Sequence, residues 1–114
     1  YRPLMIKTEV QVVSMYEEAP NWSELMNYLY KINYMTSEWS EIGPHLTRSP
    51  VEMDMIFIPN YLNDIGKKLI LSREKEFTSL MIIFGQIKLL QAISKKLNFS
   101  NSLELNNIKD KFFY

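Results

Sequence analysis

Residues 73–97 read REKEFTSLMIIFGQIKLLQAISKKL, and this stretch decides how the chain is built. At 100° per residue, Leu80, Ile83, Phe84, Ile87, Leu90 and Leu97 fall on one arc of a helix, with Ile82, Leu89 and Ile93 beside it. Together they cover roughly 220° of the helix surface and leave a narrow polar strip around Lys88, Lys95 and Lys96. The spacing predicts a single helix capped by Ser72, about 37 Å long at 1.5 Å per residue. A helix this widely apolar has to be covered on two sides. The other helices of the chain are few and short, so cover from a partner subunit stands beside cover from the chain itself.

Working upstream, Pro59 is expected to open a helix with Tyr61, Leu62, Ile65 and Leu69 on one face and Lys67 and Lys68 pointing away. Residues 45–58 read both ways. Ser49-Pro50-Val51-Glu52 looks like a helix start, yet Val51, Met53, Met55 and Phe57 alternate as in a strand, and a short strand or extended passage is expected. Thr36 can cap a turn of helix carrying Trp39 and Ile42, stopped by Gly43-Pro44. Asn21 and Glu24 form a capping box for a helix whose buried stripe is Trp22, Leu25, Met26, Leu29 and Ile32. Trp22, Trp39 and Tyr61 are expected as core anchors. Residues 4–14 alternate imperfectly through Ile6, Thr8, Val10 and Val12, which favours a strand. Downstream, Asn98–Ser102 is a polar break, and Leu105, Ile108 and Phe112 make a last stripe ending in Phe113 and Tyr114. The expected fold is α+β, mostly α. A short N-terminal β element at 1–18 is followed by a helical domain of about four to five helices at 19–114.

Size and composition narrow the function. The chain has 114 residues, 46% of them hydrophobic, with seven Met, seven Tyr and six Phe, ample for one core and for apolar surface left to a partner. It opens on Tyr1, so a fragment or trimmed chain is expected, and no signal-peptide pattern is visible. There is no Cys, which excludes disulfides, Cys-ligated zinc and iron–sulfur clusters. Formal net charge is zero, which argues against a free-standing domain driven onto nucleic acid by phosphate contacts. The charge is polarised nonetheless. Residues 1–57 carry four basic and eight acidic side chains, and residues 58–114 carry nine and five. Such polarity can orient a subunit against its neighbours. The longest apolar run, Leu80–Phe84, is far short of the ~18–20 residues that span a bilayer.

Catalytic patterns are lacking. His45 is the only histidine and sits in a polar loop, so no metal site is expected. Glu17 with Glu18, and Glu52 with Asp54, have no nucleophile spaced to work with them, and solvated faces explain them better. The three glycines, at 43, 66 and 85, lack phosphate-loop spacing, and Ser14 and Ser72 sit in no nucleophile elbow. The expectation is a protein that is not an enzyme and needs no cofactor. Lys67, Lys68, Lys95 and Lys96 are the candidate DNA-facing residues, and Tyr28, Tyr30 and Tyr34 are side chains able to stack on bases. At helical spacing such tyrosines more often line an interior or an interface.

The order of the marks adds a family. Glu18-Ala19-Pro20-Asn21-Trp22 is followed by Thr36-Ser37-Glu38-Trp39, then by Phe57-Ile58-Pro59-Asn60-Tyr61 running to Lys67-Lys68-Leu69-Ile70-Leu71, a long helix, and Leu103-Glu104-Leu105-Asn106-Asn107-Ile108. This series resembles the GINS replication complex, above all its partner-of-Sld-Five subunit two, over about residues 18–113. The family pattern there is roughly Glu-Val-Pro-Leu-Trp-Leu-Ala, a helix, and Pro-Pro-Glu-Trp. Ser23-Glu24 here replaces Leu-Ala, and Thr36-Ser37 replaces Pro-Pro. Subunit three is the next match, through Ser49-Pro50-Val51-Glu52-Met53-Asp54-Met55. The resemblance implies a non-catalytic nuclear scaffold in a heterotetramer with the other GINS subunits. Its partners would be the minichromosome-maintenance helicase ring and the Cdc-forty-five protein in DNA replication, with DNA met weakly or indirectly and no membrane. Residues 1–18 would then be the remnant of the family's β domain. Ile83, Ile87, Leu90, Leu105, Ile108, Phe112 and Phe113 would pack against sister subunits or into the core. Two other readings remain open: a stand-alone helical adaptor with a Met- and Tyr-rich groove, and a small nucleic-acid binder using the lysine pairs.

Overall fold

The computed structural model describes residues 2–11, 22–41 and 52–100. They form three strands and four helices: β1 (Ile6–Gln11), α1 (Trp22–Lys31), β2 (Tyr34–Glu41), β3 (Glu52–Pro59), α2 (Asp64–Ser72), α3 (Glu74–Ile83) and α4 (Ile87–Leu97). Helix outweighs strand, so the fold is α+β and mostly α. The strands make one antiparallel sheet in the order β1-β3-β2. Both outer strands run antiparallel to β3 and therefore parallel to each other. Helix α1 thus links two parallel strands with a third inserted between them, a split β-α-β arrangement.

The reason lies in β3. Met55, Ile56, Phe57 and Ile58 are all buried, a continuous apolar run that suits a strand covered on both faces. Met55 and Phe57 face one way, into a cluster with Val10, Leu29 and Tyr34 that Trp22, Leu25 and Met26 of α1 cover. Ile58 faces the other way, into a cluster with Leu4, Ile70, Phe77, Met81, Leu90, Ile93 and Phe99. The sheet is the middle of three layers, with α1 on one side and α2, α3 and α4 on the other. The residues before β1 are tied down. Leu4 is buried, the Tyr34 hydroxyl donates to the Pro3 carbonyl at 2.6 Å, and Arg73 Nη1 donates to the Arg2 carbonyl at 2.9 Å.

Three asparagines join the layers at one end of the sheet. Asn33 takes a left-handed φ of 73° after α1, and its carbonyl accepts from the Asn60 backbone N–H at 2.8 Å. Asn60 turns the chain after β3, its Oδ1 accepting from the Leu62 N–H at 3.0 Å. Asn63 caps α2 by accepting from the Gly66 N–H at 2.8 Å, while its Nδ2 donates to Asn33 Oδ1 at 3.0 Å.

The structure corrects three local expectations. Residues 36–42 were expected as a capped helical turn; residues 34–41 are instead strand β2. Pairing along β3 outweighs the local cap signal of Thr36-Ser37-Glu38, and a bulge between Thr36 and Glu38 hides the alternation. Pro59 does not open a helix. It ends β3 opposite Tyr34, and α2 starts five residues later behind Asn63. The predicted helix 73–97 is two helices. Ser72 closes α2 rather than capping α3, and Arg73 precedes α3 without a side-chain cap. Gly85, at φ 72°, ends α3: its N–H bonds to the Ile82 carbonyl at 3.1 Å and the Gln86 N–H to the Met81 carbonyl at 2.7 Å. These two bonds form a Schellman closure, which favours glycine at its left-handed position. The capping box at Asn21 and the stripe from Leu105 to Phe113 lie outside the described residues.

Candidate interaction surface

Strand β2 is the element around which the open concave surface gathers. It pairs with β3 on one edge, and among the described residues no strand pairs with its other edge. Toward α1, a cleft of about 320 Å³ is lined by Met26, Asn27, Tyr30, Tyr34, Met35 and Thr36. Along the strand, Thr36, Ser37, Glu38 and Trp39 line a second, of about 400 Å³. Toward the helical layer, Glu38 shares a third, of about 340 Å³, with Gly85, Gln86, Ile87, Lys88 and Leu89. The Ser37 bulge contributes to this by breaking the register; the Ser37 hydroxyl donates to the Ile56 carbonyl at 3.3 Å.

Polar and charged side chains line this surface as well. Gln86 Nε2 donates to the Glu38 carboxylate. Lys7, Glu38, Ser40 and Asp54 line a cleft of about 200 Å³ whose apolar walls are Ile56 and Phe84, with the Lys7 ammonium 5.8 Å from the Phe84 ring centroid. Among the described residues no group of three or more His, Cys, Asp or Glu side chains is placed to hold a metal, and no helix is long and apolar enough to cross a membrane.

The residues expected to matter are dispersed. Leu90 is fully buried and Ile87 nearly so, both in the core, whereas Ile83 is 72% exposed at the end of α3. Trp22 and Tyr61 are half-buried and pack against the two clusters. Trp39, expected as a core anchor, is 58% exposed, because an edge strand turns its alternate side chains toward solvent once α1 no longer covers them. Trp39→Ala should therefore shift folding stability by less than about 1 kcal/mol. A chemical-denaturation midpoint displaced as far as for a core truncation would show that the indole is covered. Lys68, Lys95 and Lys96 are exposed and Lys67 is half-buried. Lys67 and Lys68 stand on α2 while Lys95 and Lys96 stand on α4. Leu105, Ile108, Phe112 and Phe113 lie outside the described residues, as do His45, Glu17 and Glu18.

Sequence reasoning missed Glu38, Gln86 and the β2 edge itself. The signal was present in Tyr34 and Trp39, two bulky strand-favouring side chains in eight residues, but the polar Thr36-Ser37-Glu38 between them read as a cap. Compared with known proteins, the chain matches no family model, no curated protein and no solved structure.

Proposed function

We propose that this chain is a non-catalytic protein-interaction subunit that receives a partner along β2. The observation that carries this is the solvent exposure of Trp39, at 58%, and of Tyr30, at 65%, beside clefts that run from α1 across β2 to α4. Tryptophan and tyrosine in such positions supply much of the energy of protein interfaces. The specific form of the proposal is a subunit of the GINS complex, of the partner-of-Sld-Five type, acting in the nucleus as a scaffold of the replicative helicase. The collinear order of its sequence marks supports that form.

Co-expression with the other three GINS subunits tests the specific form, and an affinity screen against extended peptides tests the coarser one. Ile83→Asp, at an exposed apolar position, should leave the circular dichroism spectrum and melting point unchanged. If the chain is a GINS subunit with Ile83 at a sister contact, the variant should lose most of its co-purification with the other three. Wild-type chain that is folded yet fails to co-purify removes the GINS form and leaves the stand-alone adaptor. Peptide binding that Trp39→Ala leaves unchanged removes β2 as the site.

A further inference from the structure

The opposite edge of the sheet carries a second surface, independent of the partner reading above. We propose that β1 is a homodimerisation edge: two copies pair β1 against β1, antiparallel about Thr8, into one continuous six-stranded sheet. The sheet order leaves β1 and β2 outermost, but the two edges differ. β2 is bulged at Ser37, a common device that disrupts further pairing. β1 holds an unbroken register against β3 from Ile6 opposite Phe57 to Gln11 opposite Glu52. Its outward N–H and C=O groups are therefore evenly spaced for another strand, and among the described residues no strand takes them.

The occupant follows from the sequence of the edge. An antiparallel strand paired with its own copy about residue 8 sets residue 7 against 9 and residue 6 against 10. In Ile6-Lys7-Thr8-Glu9-Val10 that register puts Lys7 opposite the partner copy's Glu9 twice, Ile6 opposite Val10 twice, and Thr8 opposite Thr8. Opposite charges, β-branched pairs and Thr–Thr pairs are the combinations that stabilise neighbouring strands. The contact is self-complementary, as a two-fold interface requires. Lys7 and Glu9 are both exposed and lie on the same sheet face. A strand of unrelated sequence would meet the same backbone edge without this reciprocal charge match.

Sedimentation equilibrium across a concentration series tests the idea. The wild-type chain should form a dimer. Lys7→Glu and Glu9→Lys, each set against its own copy, place like charges opposite each other twice. Each should raise the dimer dissociation constant by about tenfold or more. Lys7→Glu combined with Glu9→Lys in one chain should restore it. Mixing the two single variants should produce a mixed dimer, because the chain with two acidic positions then meets the chain with two basic ones. Circular dichroism confirms that each variant is folded before it is compared. A wild-type chain that stays monomeric at every concentration overturns the proposal whatever the variants do, as does a dimer indifferent to all three charge changes. Neither result touches the role of β2.

Discussion

Gly66→Ala should remove a large part of the protein's folding stability, the largest effect expected from so small a change. A Cβ at this position would lie 1.9 Å from the Asn60 carbonyl oxygen, 2.4 Å from its carbon and 2.7 Å from the Asn60 nitrogen. All three are backbone atoms, and Asn60 is buried and held by Asn33 and Asn63, so no flexible side chain can yield. Alanine is the better helix former by about 1 kcal/mol, far too little to offset a contact well inside van der Waals distance. Relief would require α2 to withdraw from the end of β3, which would break the Asn63 cap and lift Ile70 from the core. A loss of about 4 kcal/mol or more is expected, against a total of about 5–15 kcal/mol for a domain of ordinary stability. Gly85→Ala is the control. Nothing lies within 4 Å of its Cβ, so the cost is only that of a left-handed backbone, about 1–2 kcal/mol. Urea denaturation of both variants decides the matter; equal midpoints would show that α2 and Asn60 do not approach so closely.

Phe77→Ala should cost about 3–5 kcal/mol. Phe77 is fully buried at the centre of the cluster that joins the sheet to α2, α3 and α4. Its ring meets Phe99 edge-on, with centroids 6.3 Å apart and planes at 80°, a geometry worth about 0.5–1.5 kcal/mol beyond the area buried. Phe99 reaches that position because Asn98 turns left-handed at φ 55° and the Phe99 N–H closes on the Ser94 carbonyl at 2.9 Å. Truncating Phe77 therefore opens a cavity and also frees the segment after α4. A melting point within a few degrees of wild type would mean that the three helices collapse around the gap. Near-ultraviolet circular dichroism separates that collapse from retained packing.

The contrast between Phe77 and Trp39 indicates how far the sequence could be read. β1, α1 and β3 were legible because each carries a pattern long enough to register: β-branched alternation in β1, a helical stripe in α1, a dense apolar run in β3. Leu90 and Ile87 were legible as candidates for burial by the same rule. β2 was not, because an edge strand needs few apolar residues and its bulge shifts the period midway. The division of 73–97 was obscured for the opposite reason. On one continuous helix Ile83 and Phe84 fall in phase with Ile87 and Leu90, so periodicity alone reads straight through the turn, although Ile83 and Phe84 are exposed and the buried face of α3 carries Phe77 and Met81 instead. The interaction surface was harder still. Its clefts lie between α1, β2 and α4, elements that sequence order keeps apart, and Trp39, read as an anchor of the protein core, is exposed beside them.

The order β1-β3-β2 also bears on how the chain comes into being. β3 is the last of the three strands to be synthesised, yet it carries every hydrogen-bonded ladder in the sheet. Ile6 waits for Phe57, and Gln11 for Glu52. A ribosome that has released β1, α1 and β2 has released two strands that do not pair with each other and one helix with no sheet to cover. Pairings this distant in sequence slow folding because the loop must close before any contact rewards it. The nascent chain is therefore expected to stay open until residue 59 has emerged, and to gain all three strands in a single step.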